Sequence, residues 1–215
     1  MTCQVLAMGD SCLSAVFEET LSLAVNSQCV ALAAELERRA LPGVRDVVPA
    51  FHTVAVYFDP RLVDRAALQK QVASMASVSA GSAASESEPI EIPVSYGGES
   101  GPDLASVAVF AGCSEGEVVR LHTETVYRVY MLGFLPGFAY LGAVDRRIAM
   151  PRLETPRLRV VAGSVGIAGV QTGIYPCDTP GGWRIIGRTM TRLFDPALAE
   201  PALLRAGDRV KFVAR

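Results

Sequence analysis

The feature that most constrains the fold is a glycine- and proline-rich stretch between Gly133 and Arg188. It contains the strings GFLPGFAYLG, GSVGIAGVQTGIYP, PGGW and IGRT, in which aromatic side chains are set among small or rigid residues. Glycine permits a positive φ and the close approach of other atoms, whereas proline fixes φ and removes a hydrogen-bond donor. The many turns predict short strands, as in a closed or nearly closed β-barrel. Because ordinary hairpins need less special backbone than this, we also predict a shaped functional surface here.

Composition and charge exclude several classes of protein. The chain has 215 residues, 50% of them apolar, which is enough for one large or two small domains. A net charge of −2 and a pI near 5.8 argue against a nucleic-acid-binding protein. No apolar run approaches membrane-spanning length and no basic region precedes an apolar core at the N-terminus, so we expect a cytoplasmic protein without membrane association. The five cysteines are scattered, which predicts reduced thiols.

The sequence offers neither a metal site nor a nucleotide-binding loop. The two histidines, His52 and His122, have no cysteine or histidine neighbours at zinc-ligand spacing, so no metal is expected. The pattern GxxxxGK[ST], whose backbone cradles phosphates, is absent. A P-loop therefore does not hold a nucleotide on this chain.

Hydrophobic periodicity predicts an N-terminal domain with the order strand, strand, helix, strand, strand, helix. The predicted strands are Gln4–Met8, Leu13–Phe17, Val44–Pro49 and Thr53–Phe58, and the predicted helices are Leu21–Arg39 and Leu62–Met75. This order indicates a small α+β sandwich with the helices on one face of the sheet. The segment Ser77–Pro89 is small, polar and devoid of aromatics, which is typical of a linker. We therefore assign residues 1–76 to the first domain, 77–89 to a linker and 90–215 to a second domain.

The second domain is predicted to begin with a strand, Ile90–Val94, and two short helices, Asp103–Ala111 and Ser114–Thr123. Ser114 and Glu117 fit a capping box, in which each side chain satisfies a backbone N–H of the other residue. From Thr125 onward the pattern is mostly short strands separated by turns, which favours a barrel.

From YGGESGPDL (Tyr96–Leu104) through the strings above to GDRVKF (Gly207–Phe212), the chain closely resembles the B subunit of the bacterial ATP-dependent 5-oxoprolinase. That family is also known as the KipI type, a sporulation-kinase inhibitor, and as allophanate hydrolase subunit 1. The resemblance implies an α+β N-terminal domain followed by a cyclophilin-like β-barrel domain. Val170 departs from the family pattern, which has a second glycine there, and a β-branched residue resists a positive φ.

The resemblance implies an enzyme component that is inactive alone. With a larger C subunit, it would use ATP, shared with that partner, to phosphorylate the lactam oxygen of 5-oxo-L-proline, and an A subunit would complete hydrolysis to L-glutamate. The alternative is a KipI-type protein-binding module that inhibits a sensor histidine kinase, which needs no acid, base or nucleotide. Free-standing prolyl isomerisation is a weaker third hypothesis, because a fold analogy alone does not carry function.

The candidate site residues lie in or near the glycine-rich stretch. His122, in an RLH string that matches the family, is the candidate catalytic residue; the alternative is a structural histidine near a helix C-terminus. Aromatic walls with a few converging polar groups describe a small-molecule or peptide pocket. The predicted substrate-binding residues are Phe134, Pro136, Gly137, Phe138, Gln171, Thr172, Tyr175, Trp183 and Arg188.

Several other groups carry open alternatives. Arg152, Arg157 and Arg159 are candidates for bidentate anion binding, although surface arginines are common in this lysine-poor chain. The glycines of GSVGIAG would either present backbone N–H groups to an anion or form tight barrel turns, and we favour turns. Cys177 has no neighbouring histidine and is rejected as a nucleophile, whereas Asp178 is placed for a general base by position alone.

Overall fold

The computed structural model describes residues 3–20, 22–79 and 88–215. The chain divides into two compact units, with the division between Glu86 and Ser87. Residues 77–79 of the predicted linker belong to a helix, and its residues 80–87 lie outside the described part of the chain.

The first unit is a four-stranded antiparallel sheet with two helices, which confirms the predicted α+β class. Its strands are β1 (Gln4–Ala7), β2 (Cys12–Val16), β3 (Val44–Pro49) and β4 (Thr53–Phe58), in the order β1-β2-β4-β3, and its helices are α1 (Leu23–Arg39) and α2 (Arg65–Ser79). Leu21, the predicted start of α1, lies outside the described residues.

Helix α2 begins three residues after the predicted Leu62, and the reason is a side-chain cap. The carboxylate of Asp64 accepts hydrogen bonds from the N–H groups of Ala66 (2.8 Å) and Ala67 (3.3 Å). Such a cap satisfies backbone donors that have no partner inside the helix, so the helix starts directly after Asp64.

The core of the first unit follows from the spacing of the apolar residues in α1. Val25, Cys29, Leu32 and Leu36 are all buried and recur every three or four residues, so they share one helix face. They belong to the same cluster as the inward-facing residues of the sheet, of which Val56 is fully buried.

The second unit is a closed barrel. Its strands are β5 (Ile90–Tyr96), β6 (Val126–Leu132), β7 (Ala139–Gly142), β8 (Arg157–Val160), β9 (Ser164–Ala168), β10 (Gln171–Ile174), β11 (Thr179–Gly181), β12 (Arg184–Arg188) and β13 (Arg209–Ala214). The barrel order is β10-β7-β6-β13-β5-β12-β9, and it closes because β9 also pairs with β10. Strands β8 and β11 form a separate two-stranded sheet. The predicted barrel is therefore confirmed.

Two helices, α3 (Leu104–Ala111) and α4 (Glu115–Glu124), pack together and against the barrel. The predicted cap of α4 is present, because the Glu117 N–H donates to the Ser114 hydroxyl at 3.1 Å. The carboxylate of Glu117 binds the Arg120 guanidinium at 2.6 Å and does not complete the predicted box. Among the helices that the structure describes, none combines the length and apolar character needed to cross a bilayer.

Successive residues of the barrel strands alternate between the two faces, and this alternation creates two separate environments. Leu141, Val165 and Ile167 are fully buried and belong to the interior cluster. Their neighbours Tyr140 and Gly166 face the outer surface, as expected for a pleated strand. The candidate site lies on that outer face.

Candidate functional site

A groove of about 330 Å³ lies on the outer surface of the barrel unit. This volume falls at the lower end of the range of about 300–1,000 Å³ found for small-molecule sites. The groove is lined by Phe134, Phe138, Tyr140, Arg152, Pro156, Tyr175, Pro180, Gly181, Gly182 and Trp183.

Two glycines make room for the indole ring in the groove. Gly166 and Gly173 are directly opposite each other in the β9–β10 pair. A Cβ atom on Gly166 would lie 3.0 Å from Trp183 Cβ, and one on Gly173 would lie 3.1 Å from Trp183 Cζ3. A larger residue at either position would displace the indole, so the missing side chains allow it to lie against the barrel strands.

The walls of the groove are aromatic rings in edge-to-face contact. The ring of Phe138 lies 5.0 Å from Tyr140, 5.3 Å from Tyr175 and 5.4 Å from Trp183, measured between centroids. The interplanar angles of 63°, 78° and 89° match the geometry that aromatic quadrupoles favour. Phe138 and Tyr175 are only 1% exposed, so these walls are fixed by packing.

Phe134 lies at the mouth of the groove in an unusual backbone conformation. Its φ is +67°, a left-handed value that a bulky residue rarely adopts, and its side chain is 60% exposed. Its ring meets the Phe138 ring edge-to-face at 5.5 Å. Backbone strain of this kind costs stability and clusters at functional sites, where it holds a group in the conformation that binding requires.

A buried carboxylate links β8 to the barrel strand β12. Asp103 accepts a hydrogen bond from Arg157 Nη2 at 2.7 Å with one oxygen and from the Ile185 N–H at 2.6 Å with the other. Arg157 is paired in the sheet with Gly181, a lining residue. The candidate anion ligand Arg157 thus has a structural partner.

Three further candidate residues have partners within the protein and lie outside the groove lining: Arg159, Asp178 and Arg188. Asp178 accepts hydrogen bonds from the Ala162 N–H (2.8 Å) and from Arg159 (2.8 Å), and these two contacts lower its pKa. A carboxylate so stabilised in its ionised form is a poor general base, so the geometry does not support that role. The exposed Arg188 donates from Nε to the Ala162 carbonyl at 2.9 Å.

The candidate catalytic residue His122 lies in the barrel interior and not in the groove. Its side chain is fully buried and stacks on Phe212, with 4.5 Å between the ring centroids. Its Nε2 is 2.9 Å from the Thr172 hydroxyl, which itself lies 3.0 Å from the Gly166 carbonyl. Its Nδ1 is 2.8 Å from the Tyr96 hydroxyl.

This network assigns a tautomer to His122. The Thr172 hydroxyl donates its proton to the Gly166 carbonyl, so it accepts from Nε2–H, and Nδ1 accepts from the Tyr96 hydroxyl. Burial lowers the pKa of His122 to about 3 and raises that of Tyr96, so both are neutral near pH 7. The imidazole is fully buried, makes two hydrogen bonds and is neutral, which favours the structural alternative for His122. Thr172 is also fully buried beside it, which argues against a substrate-binding role for Thr172.

Gly137 and Gln171 have positions different from those expected of ligand contacts. Gly137 is buried with a φ of +80°, and a Cβ there would lie 2.7 Å from Phe194 Cβ, so packing rather than ligand approach requires glycine. Gln171 is half-buried and lies outside the groove lining, two residues from Gly173. Pro136 is exposed and also outside the lining.

The glycine-rich loop forms turns, as favoured above. The N–H groups of Gly163 and Gly169 donate to the carbonyls of Tyr175 (2.8 Å) and Met150 (2.9 Å), so neither is available to an anion. Gly169 and Val170 connect β9 to β10, and of the two only Gly169 has a positive φ, +57°. This is the pattern of a type II′ hairpin turn, which explains why valine is accepted at position 170.

Of the predicted substrate-binding residues, the structure brings four together in the groove: Phe134, Phe138, Tyr175 and Trp183. The other lining residues are outside that predicted set: Tyr140, Arg152, Pro156, Pro180, Gly181 and Gly182. Tyr140 belongs to the GFLPGFAYLG string, whose aromatic residues were candidates for the walls of a pocket, and Arg152 was a candidate anion ligand. The position of Arg152 depends on contacts distant in sequence.

Among the described residues, no group of three or more His, Cys, Asp or Glu side chains is arranged to hold a metal ion.

Comparisons with known proteins agree with this architecture of an α+β unit followed by a closed barrel. A family model described as carboxyltransferase domain, subdomain C and D, matches residues 3–204. The chain is 43% identical to the 5-oxoprolinase B subunit of Bacillus subtilis over 220 residues, covering 98% of this chain and 92% of that protein. It is 59% identical over 128 residues to the 5-oxoprolinase B subunit of Escherichia coli O157:H7, covering 60% of this chain and 59% of that protein.

Solved structures share the fold of this chain over nearly its whole length. The crystal structure of TTHA0988 superposes with a TM-score of 0.84 at 39% identity, covering 95% of this chain but only 39% of that longer chain. Urea amidolyase of K. lactis shares the fold alone, with a TM-score of 0.74 at 18% identity over 99% of this chain and 15% of its own. The match to the family model over residues 3–204 defines a carboxyltransferase-type C/D module. The chain belongs to the carboxyltransferase C/D-domain family, in the group of 5-oxoprolinase B subunits.

Proposed function

We propose that this chain is the B subunit of an ATP-dependent 5-oxoprolinase and acts with partner C and A subunits. The observation that carries the proposal is the 43% identity to a 5-oxoprolinase B subunit over 98% of the chain. Family membership over nearly the whole length makes a shared function the simplest explanation. The kinase-inhibitor alternative gains no support from the names of these relatives.

A composite enzyme is consistent with what this chain lacks in sequence. No phosphate-binding GxxxxGK[ST] loop is present, so we assign the main contacts to ATP to the partner. TTHA0988 offers a parallel, since the part equivalent to this chain occupies 39% of a longer polypeptide. We infer that a separate chain of this family associates with its partner to complete one site, and that the assembly works in the cytoplasm.

The proposed reaction opens the lactam ring in balanced steps. Transfer of the γ-phosphoryl group to the lactam oxygen breaks its bond to ADP and makes C5 a better electrophile. Water then adds to C5, the C5–N bond breaks, and the nitrogen takes a proton to become the amino group of glutamate. A second water releases phosphate. In this scheme the present chain binds and orients the lactam, and excludes water until the phosphoryl group has moved.

The test is reconstitution. We would mix this chain with the C and A subunits from the same source and measure ADP and L-glutamate formation with and without 5-oxo-L-proline. The expected result is coupled turnover only when all components are present. Equal turnover without this chain, or none when all three subunits are shown to be folded, would refute the proposal.

A further inference from the structure

Arg152 differs from the other arginines of residues 151–190. Four of those arginines bind a partner inside the protein: Arg157 with Asp103, Arg159 with Asp178, Arg184 with the Pro151 carbonyl, and Arg188 with the Ala162 carbonyl. Arg152 lines the groove and is exposed. Within the part of the chain that the structure describes, its guanidinium has neither a hydrogen-bond nor an ion-pair partner, so its five donors remain available to a ligand.

The backbone on both sides of Arg152 is held next to Trp183. The Leu153 N–H donates to the Gly182 carbonyl at 2.7 Å, and Arg184 Nε donates to the Pro151 carbonyl at 3.1 Å. Gly182 and Arg184 are the two chain neighbours of Trp183, so these bonds fix Arg152 beside the indole. Pro151 also restricts the chain by fixing φ. The anchored backbone keeps the guanidinium within reach of the groove, and the exposed side chain gives up its rotamer freedom only when it binds an anion.

The surrounding charge favours an anionic ligand. Residues 151–190 contain five arginines but only two acidic residues, Glu154 and Asp178, although the whole chain carries a net charge of −2. Asp178 is paired with Arg159, and Arg157 is paired with Asp103, so neither of these arginines adds free positive charge. Arg152 is the one charged residue among the described residues that line the groove, and a cation in a cleft attracts ligands of the opposite charge.

We propose that the groove binds a small carboxylate with a flat five-membered ring, the ring packing on Trp183 and the carboxylate binding the Arg152 guanidinium. The inference rests on the proposed function, because 5-oxo-L-proline is a pyrrolidinone ring that carries a carboxylate on the ring carbon next to the nitrogen, opposite the carbonyl. The aromatic walls match the ring, and a planar guanidinium matches a carboxylate through two parallel hydrogen bonds. The lactam carbonyl then remains free to face the partner subunit.

The protein carries its own reporter for this test. Trp183 is the single tryptophan of the chain and lies in the groove, so its fluorescence responds to a ligand there. We would titrate the full chain with 5-oxo-L-proline, with 2-pyrrolidinone, which lacks the carboxylate, and with inorganic phosphate. The expected result is saturable binding of 5-oxo-L-proline, with both other compounds at least tenfold weaker. Equilibrium dialysis repeats the measurement without fluorescence.

Three variants assign the effect to Arg152. Arg152→Gln should weaken 5-oxo-L-proline binding by about 10- to 100-fold, as expected for a lost charge-assisted hydrogen bond, and leave 2-pyrrolidinone unchanged. Arg152→Lys should lie between, because it keeps the charge but not the planar fork. Arg146→Gln, at an exposed arginine outside the groove lining, is the matched control and should bind like the original protein.

The outcomes separate this inference from the proposed function. Equal affinity of Arg152→Gln and the original chain for 5-oxo-L-proline, tighter binding of phosphate, or no saturable binding by either method would overturn it. In the reconstituted enzyme, Arg152→Gln should raise KM far more than it lowers kcat. Turnover with an unchanged KM would refute the Arg152 site alone, whereas Arg152-dependent binding without any turnover by the mixture would refute the enzyme proposal alone.

Discussion

Gly173 lies directly beneath the indole of Trp183, with only 3.1 Å between its missing Cβ position and Trp183 Cζ3. The same position is 2.9 Å from the Ala139 carbonyl oxygen and 3.2 Å from Phe138 Cζ. A single hydrogen atom at residue 173 therefore determines how closely the aromatic walls of the groove approach the barrel. The relationship connects a backbone position to the shape of the candidate site.

Gly173→Ala should destabilise the barrel unit and move the indole. The added methyl overlaps a backbone oxygen and two rings, and overpacking of this kind costs about 1–3 kcal/mol. Chemical denaturation followed by Trp183 fluorescence measures the loss, and the emission maximum reports the displaced ring. Gly116→Ala is the matched control: its nearest neighbour is 3.9 Å away, so the free energy of unfolding should stay unchanged or rise by up to about 1 kcal/mol. Equal stability of the two variants would contradict this account.

The buried imidazole of His122 should make the stability of the barrel unit depend on pH. Burial lowers its pKa from 6.5 to about 3, so in this window the unfolded chain binds a proton that the folded state does not. The stability of the fold that holds this neutral imidazole is therefore fully present above pH 6.5 and is lost progressively as the pH falls toward 3. Between pH 7 and pH 5 we expect the free energy of unfolding to fall by about 2 kcal/mol.

The measurement that tests the role of His122 is the slope of the free energy of unfolding against pH, and not the free energy at any one pH. In His122→Gln the pH dependence between 7 and 5 should flatten, even if the variant is less stable at every pH. Trp183 fluorescence confines the measurement to the barrel unit, because this tryptophan is the only one in the chain. An unchanged slope in the variant would show that other groups cause the dependence.

Asp103→Ala should be markedly destabilising because it leaves two donors without their acceptor. Arg157 Nη2 and the Ile185 N–H both bond to this carboxylate, and we expect a loss of about 2 kcal/mol in the free energy of unfolding. Asp103→Asn keeps one acceptor oxygen and should lose less. As a control, Glu124→Ala removes an exposed ion pair to Arg120 and should change stability little. If both aspartate variants matched the control, the proposed link between β8 and the barrel would have to be abandoned.

Phe134 allows backbone strain to be separated from the ring. Phe134→Ala and Phe134→Gly both remove the ring, but only glycine accepts a φ of +67° without strain. The glycine variant should therefore be more stable than the alanine variant by about 1–2 kcal/mol. Both should bind 5-oxo-L-proline more weakly than the original chain, because one wall of the groove is lost. Denaturation and fluorescence titration on the same samples measure both effects, and an alanine variant as stable as the glycine one would argue against strain.

The local sequence predicted those features that depend on nearby residues. The strands Val44–Pro49 and Thr53–Phe58 agree residue for residue with β3 and β4, because alternation and flanking turns define them locally. The Ser114 cap of α4 and the turns of the glycine-rich loop were predicted for the same reason. The Asp64 cap was missed, although a carboxylate before a run of helix-forming residues is a recognisable start signal.

By itself, the sequence determined the two-unit plan, the barrel with its many turns, and the aromatic character of the groove, since periodicity, glycine and proline act over a few residues. The tertiary structure alone decided which of the polar candidates face the groove. His122 and Thr172 became partners 50 positions apart inside the barrel, and Arg152 reached the rim through bonds to residues 182 and 184. Strand closure sets these juxtapositions, and because each pleated strand presents alternate residues to opposite faces, neighbours such as Thr172 and Gly173 lie on different sides of the barrel wall.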